Sequence, residues 1–152
     1  MQLHGCGMLP VMDPTTITRQ VDLDTPADEL WDMVSDPDQM ATWLGDSVDV
    51  DLRPGGTGSV VDDGIVRHVQ IEEVSESRRL SFTWWESDDR STESRVVFAI
   101  GTAADGRSRL TITETLSEQP HSIVAFASAG RIRWEVRVLS LWACTVAVAS
   151  MR

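Results

Sequence analysis

The chain contains no lysine: all 13 of its basic residues are arginines, set against 24 acidic residues for a formal charge of −11 over 152 residues. Nucleic acid is thereby disfavoured as a partner, because phosphate backbones are held by a basic footprint. An anionic membrane surface is disfavoured on the same ground. Cysteine is scarce, with Cys6 and Cys144 far apart, so neither a disulfide framework nor a CxxC motif exists, and free thiols in a reducing compartment are the simplest account. Long apolar runs are missing too. The stretch from Val138 to Met151 is apolar but shorter than the roughly 20 residues that cross a bilayer. The first basic residue is Arg19, and Gly5, Gly7 and Pro10 break the early apolar residues, which does not fit a signal peptide. A cytoplasmic protein without a membrane span is expected.

Catalytic signatures are absent as well. There is no HExxH, no glycine-rich phosphate loop and no evident serine, histidine and aspartate arrangement. His68 stands alone within a strand pattern, and a lone histidine is more simply a surface residue than a metal ligand. No cofactor and no metal are expected, and enzymatic turnover has no support in the motifs.

What is present is alternation and punctuation. Residues 1–15 show no periodicity and are read as a flexible leader; residues 16–152 are read as one domain, since a chain of this length and 41% hydrophobic content has room for one core. Ile17, Val21 and Leu23 mark a first strand. Thr25 is the expected N-cap of a helix with Pro26 in its first turn and Leu30, Trp31 and Val34 turned inward. Asp36 caps a second short helix expected to run through Trp43 and Leu44 and to close at Gly45. Six strands should follow: Ser47 to Leu52, Thr57 to Val61, Ile65 to Val74, Arg79 to Glu86, Ser94 to Gly101 and Ser108 to Thr115. Pro54, Gly55 and Gly56, then Asp63 and Gly64, then Asp105 and Gly106 supply turns. From His121 onward the period changes to about 3.6, with Ile132, Val136, Leu139, Ala143 and Val146 on one stripe and Arg133 and Arg137 on the solvent face. The order predicts an α+β domain with helices on one face of an antiparallel sheet.

Several of these residues stand together in a recognisable order. Trp31, the Asp36 and Pro37 pair, Trp43, Leu44 and Gly45, the Arg53, Pro54, Gly55, Gly56 turn, the run Leu80, Phe82, Trp84 and the late Trp134 and Glu135 resemble the activator of Hsp90 ATPase homologue-1-like (AHSA1-like) domains of the START-like (SRPBCC) superfamily. The resemblance spans Ile17 to Trp142. It implies a helix-grip fold, in which a curved antiparallel sheet of six to seven strands wraps a long C-terminal helix around a hydrophobic cavity. Glu114 is a departure, standing where family members often carry a histidine.

Strand alternation then nominates a site. Phe82, Trp84 and Glu86 share one face, Phe98 joins them from the next strand, and Glu114 follows Leu110 and Ile112. Arg67 shares the parity of Ile65, Val69 and Ile71, and a buried arginine calls for an acidic partner, Glu114 or Glu86. With Trp134 and Val138 from the last helix, Arg67, Phe82, Trp84, Glu86, Phe98 and Glu114 are the expected ligand-binding residues. A structural ion pair near the rim is the simpler account of the charged members. The resemblance implies a non-catalytic module holding a small lipophilic molecule. An enzyme of the polyketide cyclase or dehydratase kind, with Arg67 and Glu114 as acid and base, is the alternative. An Hsp90 co-chaperone role ranks behind both, since eukaryotic Hsp90 activators carry an additional N-terminal domain. The apolar end of the last helix offers a surface for a homodimer.

Overall fold

Seven antiparallel strands form one curved sheet in the order β1-β7-β6-β5-β4-β3-β2. The structure is a computed structural model and describes residues 16–86 and 90–116. The strands are β1 (Thr16–Leu23), β2 (Ser47–Val50), β3 (Thr57–Asp62), β4 (Ile65–Ser75), β5 (Arg79–Glu86), β6 (Ser94–Thr102) and β7 (Ser108–Leu116). Helices α1 (Ala27–Ser35) and α2 (Pro37–Met40) connect β1 to β2, the two edges of the sheet. The expected leader, both cysteines and the long helix after His121 lie outside the described residues.

Alternation produces the core as anticipated. Leu80, Phe82 and Trp84 on β5, Val96 and Phe98 on β6, and Leu110 and Ile112 on β7 are all buried, and the register places Leu80 opposite Phe98 and Phe98 opposite Ile112. The two helices close over this face. Leu30, Trp31, Met33 and Val34 of α1 are buried, α1 packs beside β6 and α2 beside β2. The indole N–H of Trp43 donates to the Met33 carbonyl at 2.8 Å, and its ring meets Phe98 at a centroid distance of 5.6 Å.

Three local expectations need correcting. Pro26, not Thr25, is the residue before α1, because Pro26 itself takes an extended ψ of 154°; the Thr25 hydroxyl instead bonds the Glu29 carboxyl at 3.1 Å. Asp36 does cap α2, accepting from the Asp38 amide at 2.9 Å, but α2 ends at Met40 rather than continuing to Leu44. Tight turn bonds take over there, with Thr42 Oγ1 donating to the Gln39 backbone carbonyl at 2.6 Å and the Leu44 amide to the Met40 carbonyl at 2.7 Å. Gly45 is needed for space rather than as a helix stop: a Cβ there would lie 2.8 Å from the Val61 carbonyl.

Two of the turns depend on glycine, each in its own way. Asp63 and Gly64, with φ of 52° and 78°, make the two-residue loop between β3 and β4 that alternation required. Gly55 has φ of 83° in open space, whereas Gly56 faces the backbone, its ideal Cβ falling 2.0 Å from the Asp51 carbonyl. An irregularity between Ile71 and Glu73 shifts the register of β4 against β5. It keeps both Ile71 and Val74 opposite inward residues, Phe82 and Leu80, as a bulge does when an extra residue enters one strand.

Candidate functional site

The middle of the inner face is aromatic and its end is polar. Phe82 sits edge-on to both Trp84 and Phe98, at centroid distances of 5.4 and 5.5 Å, so the three form a continuous row held in place by the sheet. Beyond Trp84, towards the end of β5 that carries Glu86, the apolar surface gives way to buried polar groups.

Arg67 and Glu86 are direct cross-strand partners. Their side chains approach to 3.6 Å between Nη2 and Oε1, with Arg67 only 4% exposed and Glu86 half-buried. The guanidinium also lies over the Trp84 indole, its Cζ 5.3 Å from the ring centroid, a cation–π geometry that strengthens as water is excluded. Of the two acidic partners foreseen for Arg67, the register therefore puts Glu86 beside it.

Glu114 has a different environment. It is 2% exposed, and its Oε1 accepts from the Ser94 hydroxyl at 2.6 Å and from the Trp84 indole N–H at 3.0 Å. The same indole N–H lies 3.0 Å from Ser94 Oγ, which closes a triangle of three side chains from three adjacent strands. A buried carboxyl that receives two hydrogen bonds has much of its desolvation offset. One indole thus links both charged groups: its face carries Arg67 and its edge binds Glu114.

Arg67, Trp84, Glu86 and Glu114 are accordingly brought together, while Phe82 and Phe98 are buried in the apolar part of the same face; Trp134 and Val138 lie outside the described residues. Ser94 is the member that residue-type reasoning passed over. Its parity with Val96 and Phe98 was the available signal, since an inward serine on a buried strand needs a partner. Asp62 is another: it shares the side of β3 that carries Val60, whose cross-strand partner is Arg67.

The opposite face carries a second, smaller aromatic contact. His68 pairs with Trp85 across the strands, the rings 5.9 Å apart, and Arg90 covers Trp85 at 3.7 Å from the ring centroid. Among the described residues no group of three or more His, Cys, Asp and Glu could hold a metal, and no helix is long and apolar enough to cross a membrane. A cleft of about 480 Å³ opens elsewhere, between the start of α1 and the β6–β7 turn. Its polar groups are engaged with one another: Ser108 Oγ donates to the Thr25 carbonyl at 2.6 Å, and Arg107 binds Asp105 at 2.8 Å.

Next to that cleft, Asp22 accepts two bonds from Arg109, at 2.7 and 3.0 Å. The Arg109 hydrogen bond, aided by its charge and that of Arg107, holds the Asp22 carboxyl below the usual aspartate range. Asp105 is lowered likewise, first by the backbone amide of Arg107 and then by its side chain, and Asp22 raises Arg109 in return.

Comparison with known proteins places the fold. The profile of the family described as activator of Hsp90 ATPase homolog 1-like protein matches residues 24–131. Among solved structures, protein Ms6760 from Mycobacterium smegmatis is 24% identical with a TM-score of 0.70, over 88% of this chain and 91% of its own. DynU16, from the dynemicin biosynthetic locus, is 25% identical with a TM-score of 0.65 over 85% of this chain, which spans 46% of DynU16. The Aha1 dimer from Colwellia psychrerythraea is 13% identical with a TM-score of 0.64, over 84% of this chain and 92% of its own. No curated protein matches the chain.

Proposed function

The chain belongs to the family of activator of Hsp90 ATPase homolog 1-like proteins, and on that footing we propose that it is a non-catalytic binding module for a small lipophilic molecule. The ligand would lie between the inner face of the sheet and the helix expected after β7, with its body on Phe82, Trp84 and Phe98 and its polar end toward Arg67, Glu86 and Glu114. Trp134 and Val138 would close it from the helix side.

One observation carries this reading: an apolar floor that ends in a buried arginine and a buried glutamate tied to the same indole. A face that had only to pack would be cheaper to build from apolar side chains, because ionisable groups lose hydration on burial and replacing them with well-packed hydrophobes is often stabilising. Pockets for small molecules combine an apolar wall with a few converging polar groups.

Mass spectrometry of the purified protein should detect a co-purifying lipophilic molecule, and its re-addition at about 100 times Kd should stabilise the fold by about 2.7 kcal/mol. Arg67→Met should weaken that binding. If no such molecule is retained and no apolar probe raises the melting temperature, the module reading fails.

A cyclase or dehydratase activity is the second reading, favoured by the Glu114 carboxyl beside the Ser94 hydroxyl. It requires turnover that Glu114→Gln abolishes while the protein stays folded. An Hsp90-directed role ranks third; the likeness to Aha1 is one of fold, and stimulation of an Hsp90 ATPase is its test.

A further inference from the structure

We infer, resting on the module reading above, that the ligand is uncharged, with a hydroxyl or carbonyl group rather than a carboxylate or an ammonium at its polar end. The basis is that the polar end of the site already holds fixed charges of both signs. Arg67 is its buried cation. Glu86 lies 3.6 Å from that guanidinium, Asp62 shares the same side one strand away, and Glu114 is bound at the edge of the Trp84 indole whose face carries Arg67.

An acidic ligand reaching for Arg67 would have to enter beside Glu86 and Asp62. Like charges brought together in a desolvated site repel by several kcal/mol, and the net charge of −11 adds to the disadvantage. Arg19 also has inward parity on β1, but it is exposed and its Nη1 donates to the Thr18 carbonyl at 2.9 Å. A cationic ligand meets the converse obstacle, because an ammonium reaching for Glu86 would be brought beside the Arg67 guanidinium 3.6 Å away. An uncharged hydroxyl or carbonyl can accept from the guanidinium, and a hydroxyl can also donate to a carboxyl, without meeting a like charge. The repulsive elements then act as a filter on the head group while the aromatic floor receives the body.

The test compares three probes that share one aromatic body: 2-naphthol, 2-naphthoate and 2-naphthylmethylammonium, each titrated calorimetrically into the full chain at neutral pH. The naphthol should bind at least about tenfold more tightly than either charged probe, as a like-charge contact of this kind predicts. Glu86→Gln, at a half-buried position that tolerates the isosteric amide, should improve naphthoate binding by about tenfold and so narrow the gap between naphthol and naphthoate. Naphthoate or the ammonium binding as tightly as naphthol overturns the inference while leaving the module reading intact. Binding of none of the three overturns both.

Discussion

Glu114 and Ser94 show how a single carboxyl can be held in an apolar interior. Glu114 Oε1 is the common acceptor for the Ser94 hydroxyl and the Trp84 indole, so what matters to the fold is an oxygen at that point. Glu114→Gln can retain that oxygen and should unfold in urea close to the parent. Glu114→Ala leaves the Ser94 hydroxyl without this acceptor and opens a void, for an expected loss of about 1–3 kcal/mol. Equal losses in the two variants would show that charge, rather than the acceptor, is what the site depends on. Glu114 itself was legible in the sequence from its parity with Leu110 and Ile112. Its partners were not, because alternation assigns a face to a residue but says nothing about which strand will stand beside it.

At the scale of elements, two adjacent glycines in the β2–β3 connection act for separate reasons. Gly55 occupies the left-handed region with free space around its Cα, and Gly56 is pressed against the Asp51 carbonyl. Gly55→Ala should therefore lose about 1–2 kcal/mol, the usual penalty of a left-handed residue with a Cβ. Gly56→Ala should lose more, since the backbone of β2 must move. Both peptide groups bond Ile71 of β4, the Gly55 amide to its carbonyl at 2.9 Å and the Gly56 carbonyl to its amide at 2.8 Å, so that displacement would propagate to the neighbouring strand. Thermal unfolding of the two variants ranks them directly.

The β1–β7 ladder offers a second test at this scale. Because Arg109 lowers the Asp22 pKa in the folded chain, the pairing contributes stability above the ordinary aspartate value of about 3.9, and that contribution is lost as pH falls through it toward the lower folded value. Between about pH 6 and about pH 3 the parent should thus lose more stability than Asp22→Asn does. Identical acid limbs would contradict the assigned direction. The carboxyl is solvent-accessible, so the difference should also shrink with added salt.

For the whole molecule, the formal charge of −11 outweighs the surface ion pairs. Several of these arginines are paired locally, as in Arg95 with Glu72 at 2.6 Å and Arg53 with Asp51 at 2.7 Å, and exposed pairs of this kind contribute little. Unpaired carboxylates repel one another over longer distances. Raising sodium chloride from about 0.01 M to about 1 M shortens the screening length from about 30 Å to about 3 Å, and the melting temperature should rise. A fall would mean that the pairs, not the net charge, dominate the electrostatics of the fold.

Strand positions along the chain, turn positions and the apolar face were decided by the sequence alone, because each rests on a local rule: side chains alternate across a strand, Asp63 with Gly64 suits a two-residue hairpin, and Asp36 before Pro37 caps a helix. The end of α2 at Met40, the reason for glycine at position 45 and the bulge after Ile71 came from tertiary contacts. They depend on the Trp43 indole reaching Met33, on the closeness of Val61 and on keeping Val74 in register with Leu80. The same holds for the polar end of the site. That Arg67 faces Glu86, and that Glu114 meets Ser94 and Trp84, follows from the pairing of four strands, where a slip of one residue would turn every one of these side chains to the other face.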